Sequence, residues 1–194
     1  MDPKIQQLKE ITFPQIPVRM NAVGIPVQVH WAKDSRPSFC GIYCFWWRHG
    51  RAHLLDRIQN RTVAFHGPGG IERNITIRED HFTEIAGKVP LYVGKNHGGE
   101  NNNLANRIGL HLRLKTPRVV PLGTGHEIRK RITTTCQVRD RLDRLFDEMD
   151  DTREMIIQNL SLSFVREDDW VMRFFLEDLA IGLFRPLVNL DCER

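Results

Sequence analysis

Residues 90–111, PLYVGKNHGGENNNLANRIGLH, constrain the chain more than any other stretch, because a strand passes into a helix there through a glycine- and asparagine-rich loop. Leu91, Tyr92 and Val93 form a short β-prone run closed by Gly94. Residues 96–103 read as a flexible loop, and its last asparagines are suited to cap the helix that follows. In that helix Leu104, Ile108 and Leu112 make an apolar stripe, which at about 100° per residue places Arg107 and His111 together on its border, half in the core and half in a cleft. Tyr92, Lys95, Arg107 and His111 are side chains suited to phosphate chemistry; a solvated Arg/His edge on an ordinary amphipathic helix is the plainer alternative.

With 194 residues, 41% of them hydrophobic, the chain can bury a core as one domain over 1–194 that carries an inserted subdomain. No run of about 18 apolar residues is present, and Asp2, Lys4, Lys9, Glu10 and several prolines interrupt the N-terminus, so a soluble, cytoplasmic protein without a membrane partner is expected. Cys40, Cys44, Cys136 and Cys192 lack disulfide-framework or CxxC spacing. Cys40 and Cys44 lie about 13 Å apart along a strand, too far to share one zinc ion, and read as buried, inert thiols.

The net charge of +4 is unevenly spread. Residues 107–144 carry ten Lys/Arg against Glu127, Asp140 and Asp143, whereas from Asp147 onward twelve carboxylates face five arginines. Such polarity suits either a solvated helical surface or a polyanion-binding face, with Arg113, Lys115, Arg129, Lys130 and Arg131 as candidate contacts.

In chain order, residues 1–37 hold five prolines between short β-prone pieces and read as an irregular arm packed on the body. Residues 39–47, FCGIYCFWW, give a dense strand signal. Residues 48–89 read as an insertion between two core strands, with a short helix around Leu54 to Ile58, strands over 62–65 and 71–77, and a turn at 67–70. Residues 126–159 are expected to be helical, and LSLSFV at 160–165 alternates like a strand.

Asp168 or Asp169 can cap a last helix that Pro186 stops. Trp170, Phe174, Glu177, Ile181 and Phe184 follow helical spacing, which puts Glu177 inside an apolar stripe. A carboxylate there is costly unless paired, so the choice is between a structural salt bridge to an arginine and a hard-cation ligand at a cleft edge.

Gly41-Ile42-Tyr43, then Tyr92-Val93-Gly94 with Lys95, then Arg107 and His111 on a helix, then Glu177 within a helix and Asn189 after Pro186, resemble the GIY-YIG nuclease superfamily in order and residue type. The only two tyrosines of the chain are the two that motif requires. The resemblance implies a mixed α+β fold: a small antiparallel three-stranded sheet flanked by helices, here with an insertion between the first two core strands. It also implies hydrolysis of DNA phosphodiesters with one Mg²⁺ or Mn²⁺ per active site. Carried over, Tyr43 is the candidate general base, Arg107 and Lys95 stabilise charge, His111 assists the base or the phosphate, Glu177 is the metal ligand, and Tyr92 and Asn189 support the site or contact phosphate. Whether Tyr43 or His111 takes the proton stays open, since bringing a phenol from a pKa of about 10 to about 7 needs roughly 4 kcal/mol, which Lys95, Arg107 and a metal could supply.

Tyr43 and Tyr92 stand farther apart than in many members, and the loop before Arg107 is lengthened. Restriction endonucleases of the superfamily tolerate such insertions. A stand-alone, type II-like restriction enzyme acting on double-stranded DNA, with a homodimer on DNA as its candidate assembly, is therefore the expectation. In it His66, Arg73 and Arg78 of the insertion would meet bases or backbone. A structure-specific or repair-type nuclease, or a DNA-binding module of the same fold without turnover, is the alternative.

Overall fold

Every residue of strand β3 (Gly41–Trp47) is buried, so the rest of the chain must cover it on both faces and both edges. In the computed structural model, which describes residues 1–58, 61–66, 72–98, 102–116, 137–146 and 152–189, β3 is the middle of a three-stranded antiparallel sheet between β6 (Val89–Lys95) and β7 (Leu160–Arg166). Side-chain alternation sends Tyr43, Phe45 and Trp47 to one core and Ile42, Cys44 and Trp46 to a second. Helix α3 (Leu104–Leu112) closes the first face, while α1 (Pro3–Leu8) and α6 (Trp170–Phe184) close the second. The fold is thus mixed α+β, with six α-helices among the described residues and antiparallel sheets, one of them three-stranded and flanked by helices.

A register shift between Phe45 and Trp46 pairs Phe45 with Tyr92 and Trp46 with Pro90, leaving Leu91 as the extra residue of a bulge. Leu91 and Tyr92 consequently join the same core despite being adjacent in sequence. Both outer edges of the sheet are occupied. Along β6, Leu187 and Val188 donate backbone N–H bonds to Pro90 and Leu91 at 3.0 and 2.8 Å. The Asn189 amide continues that ladder, accepting from Val93 N–H at 2.7 Å and donating to its carbonyl at 2.8 Å. Along β7, Phe13 exchanges backbone bonds with Leu162 at 2.8 and 2.9 Å, which removes the second open edge.

The segment between β3 and β6 holds α2 (Arg51–Arg57) and the antiparallel pair β4 (Thr62–His66) and β5 (Glu72–Thr76), as its hydrophobic pattern suggests. The expected turn at 67–70 lies outside the described residues. The N-terminal arm is more ordered than expected. Asp2 accepts from Lys4 N–H at 2.8 Å and Pro3 occupies the first turn of α1, while β1 (Val18–Met20) pairs with β2 (Pro26–Val29). A proline that reads as a breaker here begins a helix, because its missing N–H is one the first turn leaves unbonded anyway. Of the helical region expected over 126–159, α4 (Gln137–Leu145) and α5 (Thr152–Asn159) are described, and residues 126–136 and 147–151 are not.

Helix α6 corrects the stripe read from spacing. Arg173, Leu176, Ala180 and Phe184 are its buried residues, whereas Trp170 and Phe174 are exposed and Glu177 sits half-buried at the boundary. The helix is apolar nearly all round, so spacing alone could not tell which apolar row faces the sheet. Its start is as expected: Asp169 accepts from Val171 and Met172 N–H at 2.8 and 3.0 Å.

Gly41 lets β3 and β7 come together, since a Cβ there would collide with the Val165 carbonyl and crowd Leu104. Gly41→Ala should therefore destabilise the protein by about 2–3 kcal/mol, read as a lower denaturant midpoint with unchanged slope. A melt within about 0.5 kcal/mol of wild type would show that the strands can part there without cost.

Candidate active site

The β3–β6 register places Tyr43 opposite Gly94 and Phe45 opposite Tyr92. Gly94 is a gap in the first face of the sheet that the Tyr43 phenol fills: a Cβ at Gly94 would lie 2.6 Å from the Tyr92 ring and 2.7 Å from Tyr43 Oη. Above them α3, capped by Asn103 accepting from Asn106 N–H at 3.0 Å, brings His111 against both tyrosines. Ring centroids are 5.8 Å apart for Tyr43 and His111, 5.1 Å for Tyr92 and His111, and 6.2 Å for the two tyrosines.

The border position expected for Arg107 and His111 holds only for Arg107, which is half-buried; His111 is fully buried. The imidazole belongs to the core row with Leu104, Ile108 and Leu112, because the tyrosine rings beneath give a flat side chain a packing surface. Burial, reinforced by the charges of Arg107 and Arg141, holds the His111 pKa well below 6.5, so the ring is neutral at neutral pH. Burial also drives the Tyr43 phenol well above its usual range, with Tyr92 and the Glu177 charge adding to the rise and Arg107 opposing it. The expected lowering toward neutrality is not what this arrangement produces: Tyr43 is a neutral phenol, and Lys95 is engaged elsewhere.

Four polar atoms at this spot are buried without a well-formed hydrogen bond: Tyr43 Oη, Arg107 Nε and both nitrogens of His111. Arg107 stands within electrostatic and loose hydrogen-bonding reach of Tyr43 without closing a good bond. Each such atom costs about 1–3 kcal/mol, so a cluster of them marks a place where a polar ligand or water is accommodated.

Lys95 and Glu177 lie on the other face. Lys95 follows Val93 by two positions on β6, and its ammonium pairs with the Glu177 carboxylate of α6 and sits 4.9 Å from the Phe174 ring centroid. Glu177 thus pairs with Lys95, a partner not anticipated from sequence. The Glu177 charge nevertheless acts on Tyr43. As a donor set, Glu177 supplies one hard oxygen ligand, and no group of three or more His, Cys, Asp or Glu side chains gathers among the described residues. That fits a Mg²⁺ or Mn²⁺ ion completed by substrate oxygens and water, provided Lys95 yields the carboxylate, and does not fit a protein-enclosed cage.

Other expected site residues have different employment. Asn189 is a backbone clamp on Val93 and so supports the strand that carries Tyr92 and Lys95. Arg78 is exposed and paired with Asp80 at 3.1 Å. Arg113 is the left-handed C-cap of α3, and Lys115 is exposed just beyond it. Arg73 lies on β5, where only the backbone is described; the His66 side chain, Arg129, Lys130, Arg131, Cys136 and Cys192 lie outside the described residues. Cys44 is buried, with its thiol pushed up by burial, while Cys40 is only half-buried and receives a 3.5 Å bond from Asn96 Nδ2.

Sequence reading missed a set of buried polar tethers. Asn96, placed in a flexible loop, is fully buried: its Oδ1 accepts from Gly41 N–H at 2.8 Å and its Nδ2 donates to the Asn102 carbonyl. Arg173 ties α6 to the carbonyls of Glu167, Asp168 and His97 at 2.8, 2.9 and 3.4 Å. Arg139 is fully buried, pairs with Asp143 at 2.9 Å and donates to the Leu112 carbonyl at 3.1 Å; Arg141 donates to Val188. Part of the basic stretch at 107–144 is therefore interior and unavailable to a polyanion. No family model matches the chain, and no curated protein or solved structure matches it significantly.

The depressed His111 pKa links this site to stability. Above pH 6.5 the ring is neutral in both states, but below it the unfolded chain takes up a proton that the folded chain refuses. Stability should fall on acidification below 6.5, by up to about 1.4 kcal/mol per pH unit from this group. His111→Leu should flatten that slope in melts followed from about pH 7.5 to 4.5, and an unchanged slope would place the acid sensitivity elsewhere.

Proposed function

We propose that the chain is a metal-dependent DNA endonuclease that hydrolyses phosphodiester bonds, and that it cuts double-stranded DNA sequence-specifically in the manner of a type II restriction enzyme. The observation that carries the reading is the cluster of buried, unpartnered polar atoms of Tyr43, Arg107 and His111 at a gap in the sheet, with the Glu177 carboxylate, itself paired with Lys95, within electrostatic range of Tyr43. The ordered likeness to the GIY-YIG superfamily adds to it, and so do two tyrosines on adjacent antiparallel strands of a three-stranded sheet.

In this reading Arg107 holds a phosphate oxygen through the donors it leaves unused, and Lys95 turns from Glu177 to the same charge. Glu177 would hold the divalent cation, which when bound supplies charge neutralisation at the scissile phosphate. His111 is the group already deprotonated at neutral pH, so it receives the proton, while Tyr43 donates a hydrogen bond as a neutral phenol. Arg113 and Lys115, beyond the end of α3, and Arg78 of the insertion would contact the DNA backbone.

Purified protein mixed with plasmid and Mg²⁺ should give discrete fragments; smearing would indicate nonspecific or structure-directed cutting, and no metal-dependent cutting would indicate a binding module. Under single turnover, His111→Gln and Arg107→Ala should each lose about 10²-fold or more while keeping DNA affinity. With His111 as base the rate should be nearly flat from about pH 7 to 9; a rise of about tenfold per pH unit that Tyr43→Phe abolishes would transfer the role to the phenol.

Glu177→Gln should abolish cleavage and remove the stabilisation that Mg²⁺ confers in thermal melts. Without metal it should cost about 2 kcal/mol, since Lys95 keeps its aromatic contact and some access to water. Retained cutting by Glu177→Gln would remove the metal-ligand assignment.

A further inference from the structure

A series of rings leads from the core to the surface at the end of β3 far from Tyr43. Trp47 is buried and stacks on Phe146, with centroids 5.7 Å apart and planes at 12°. It also meets the His53 ring at 5.6 Å and the His49 ring at 6.3 Å, and the two imidazoles lie 4.3 Å from each other. His53 is half-buried and His49 is exposed. Trp47 Nε1 donates to His53 Nδ1 at 3.2 Å, which leaves the His53 proton on Nε2 as a donor.

The surroundings of this pair are cationic. Arg57, exposed, follows His53 by four residues on α2 and so shares its face. Arg48 precedes His49 and binds the Gln158 carbonyl of α5 through one nitrogen at 3.0 Å. Burial, and then the charges of His53, Arg48 and Arg57, hold the His49 pKa below 6.5. Of the carboxylates on neighbouring elements, Glu84 accepts from Arg51 N–H at 2.6 Å, Glu154 accepts from Gln158 Nε2 at 2.8 Å, and Asp56 of α2 is exposed. None of the three is among the charges that act on His49, and Arg51 turns toward the Phe82 ring at 5.6 Å. Like charges gathered in this way repel one another, and a bound anion removes that cost.

Imidazole N–H donors beside two guanidinium forks suit a phosphate group, whose charge is spread over several oxygens. Tyr43 and Trp47 point into the same core and stand about 13 Å apart along β3. One phosphate cannot touch both places, but one DNA backbone can, since about 13 Å corresponds to about four base steps. We propose that His49, His53, Arg48 and Arg57 form a second phosphate site, which anchors a backbone phosphate of the DNA about four base steps from the one held at Arg107. The proposal rests on the reading of the chain as a DNA nuclease and gives the anchor no part in the chemistry. A phosphate beside His49 favours the imidazolium, so binding draws a proton onto that ring and affinity rises as the pH falls below 6.5. His53 stays neutral, because a proton on its Nδ1 would face the Trp47 N–H.

Fluorescence anisotropy with a short duplex oligonucleotide in EDTA, where nothing is cut, reads the affinity, and plasmid cleavage in Mg²⁺ is measured beside it. His49→Ala and Arg57→Ala should each weaken binding about three- to tenfold at about pH 6, and Arg57→Ala should lower the salt slope by about one. Both side chains are exposed, so circular dichroism and melting temperature should not change. Wild type should gain about three- to tenfold over His49→Ala between about pH 7.5 and 5.5. His49→Arg, permanently charged, should restore the affinity and remove that part of the pH dependence. Millimolar inorganic phosphate at fixed ionic strength should not displace the duplex; displacement from wild type but not from His49→Ala would make this a free-phosphate site and overturn the backbone assignment. A wild type that binds no duplex, alanine variants that bind as wild type does, or His49→Arg that binds as weakly as His49→Ala would also overturn it. Weakened binding by the variants of a wild type that never cuts would keep the anchor and sink the nuclease reading. Cutting by a wild type whose affinity ignores both substitutions would sink the anchor alone.

Discussion

The double-sided burial of β3 is the constraint on which the rest of the molecule depends. A strand whose seven residues are all inside must be hydrogen-bonded on both edges and packed on both faces. The chain meets this by bringing β6 and β7 alongside, and it then faces the same problem one strand further out. The solution there is economical in residues: residues 187–189 lie along β6 and Phe13 along β7, so the two ends of the chain close the sheet. Gly41 and Gly94 are needed for separate reasons. The first lets two backbones approach, and the second leaves the space that a phenol occupies.

That space creates the tension in the candidate site. Packing Tyr43, Tyr92 and His111 ring against ring gains apolar burial, but it strands polar atoms that water can no longer reach. The two titratable groups answer the same desolvation in opposite senses: the phenol becomes a weaker acid and the imidazole a weaker base, so both are held neutral. Arg107, at the border of the core, acts on both of these residues. It acts in the same downward direction on both residues, partly offsetting burial at Tyr43 and adding to it at His111.

Much of the sheet was legible in sequence, because FCGIYCFWW, LYVG and LSLSFV carry β-branched, aromatic and alternating signals that survive any environment. The last helix was legible in extent but not in orientation: with Trp170, Phe174, Phe175 and Leu179 all apolar, periodicity has no minimum to point away from the core. His111 was misjudged for a related reason. Spacing treats histidine as polar, whereas aromatic neighbours brought in from two other strands make it a core residue. Asn96, Arg139 and Arg173 were invisible, since a polar side chain becomes interior only when carbonyls from distant segments converge on it.

The pairing of Lys95 with Glu177 shows how the two faces of the sheet are connected. Lys95 follows Val93 of the second core by two positions and pairs with Glu177 of α6, yet the Glu177 charge raises the Tyr43 pKa. Anything that moves Lys95 off the carboxylate strengthens the negative field at the phenol, while a cation set against Glu177 weakens it. The electrostatic state of the buried aromatic cluster is thereby tied to the ion-pairing of α6. Phe174, stacked beneath Lys95 and open to its surroundings, extends that tie to the outer surface of α6. Charge paired on one side of the sheet thus acts on the rings packed on the other.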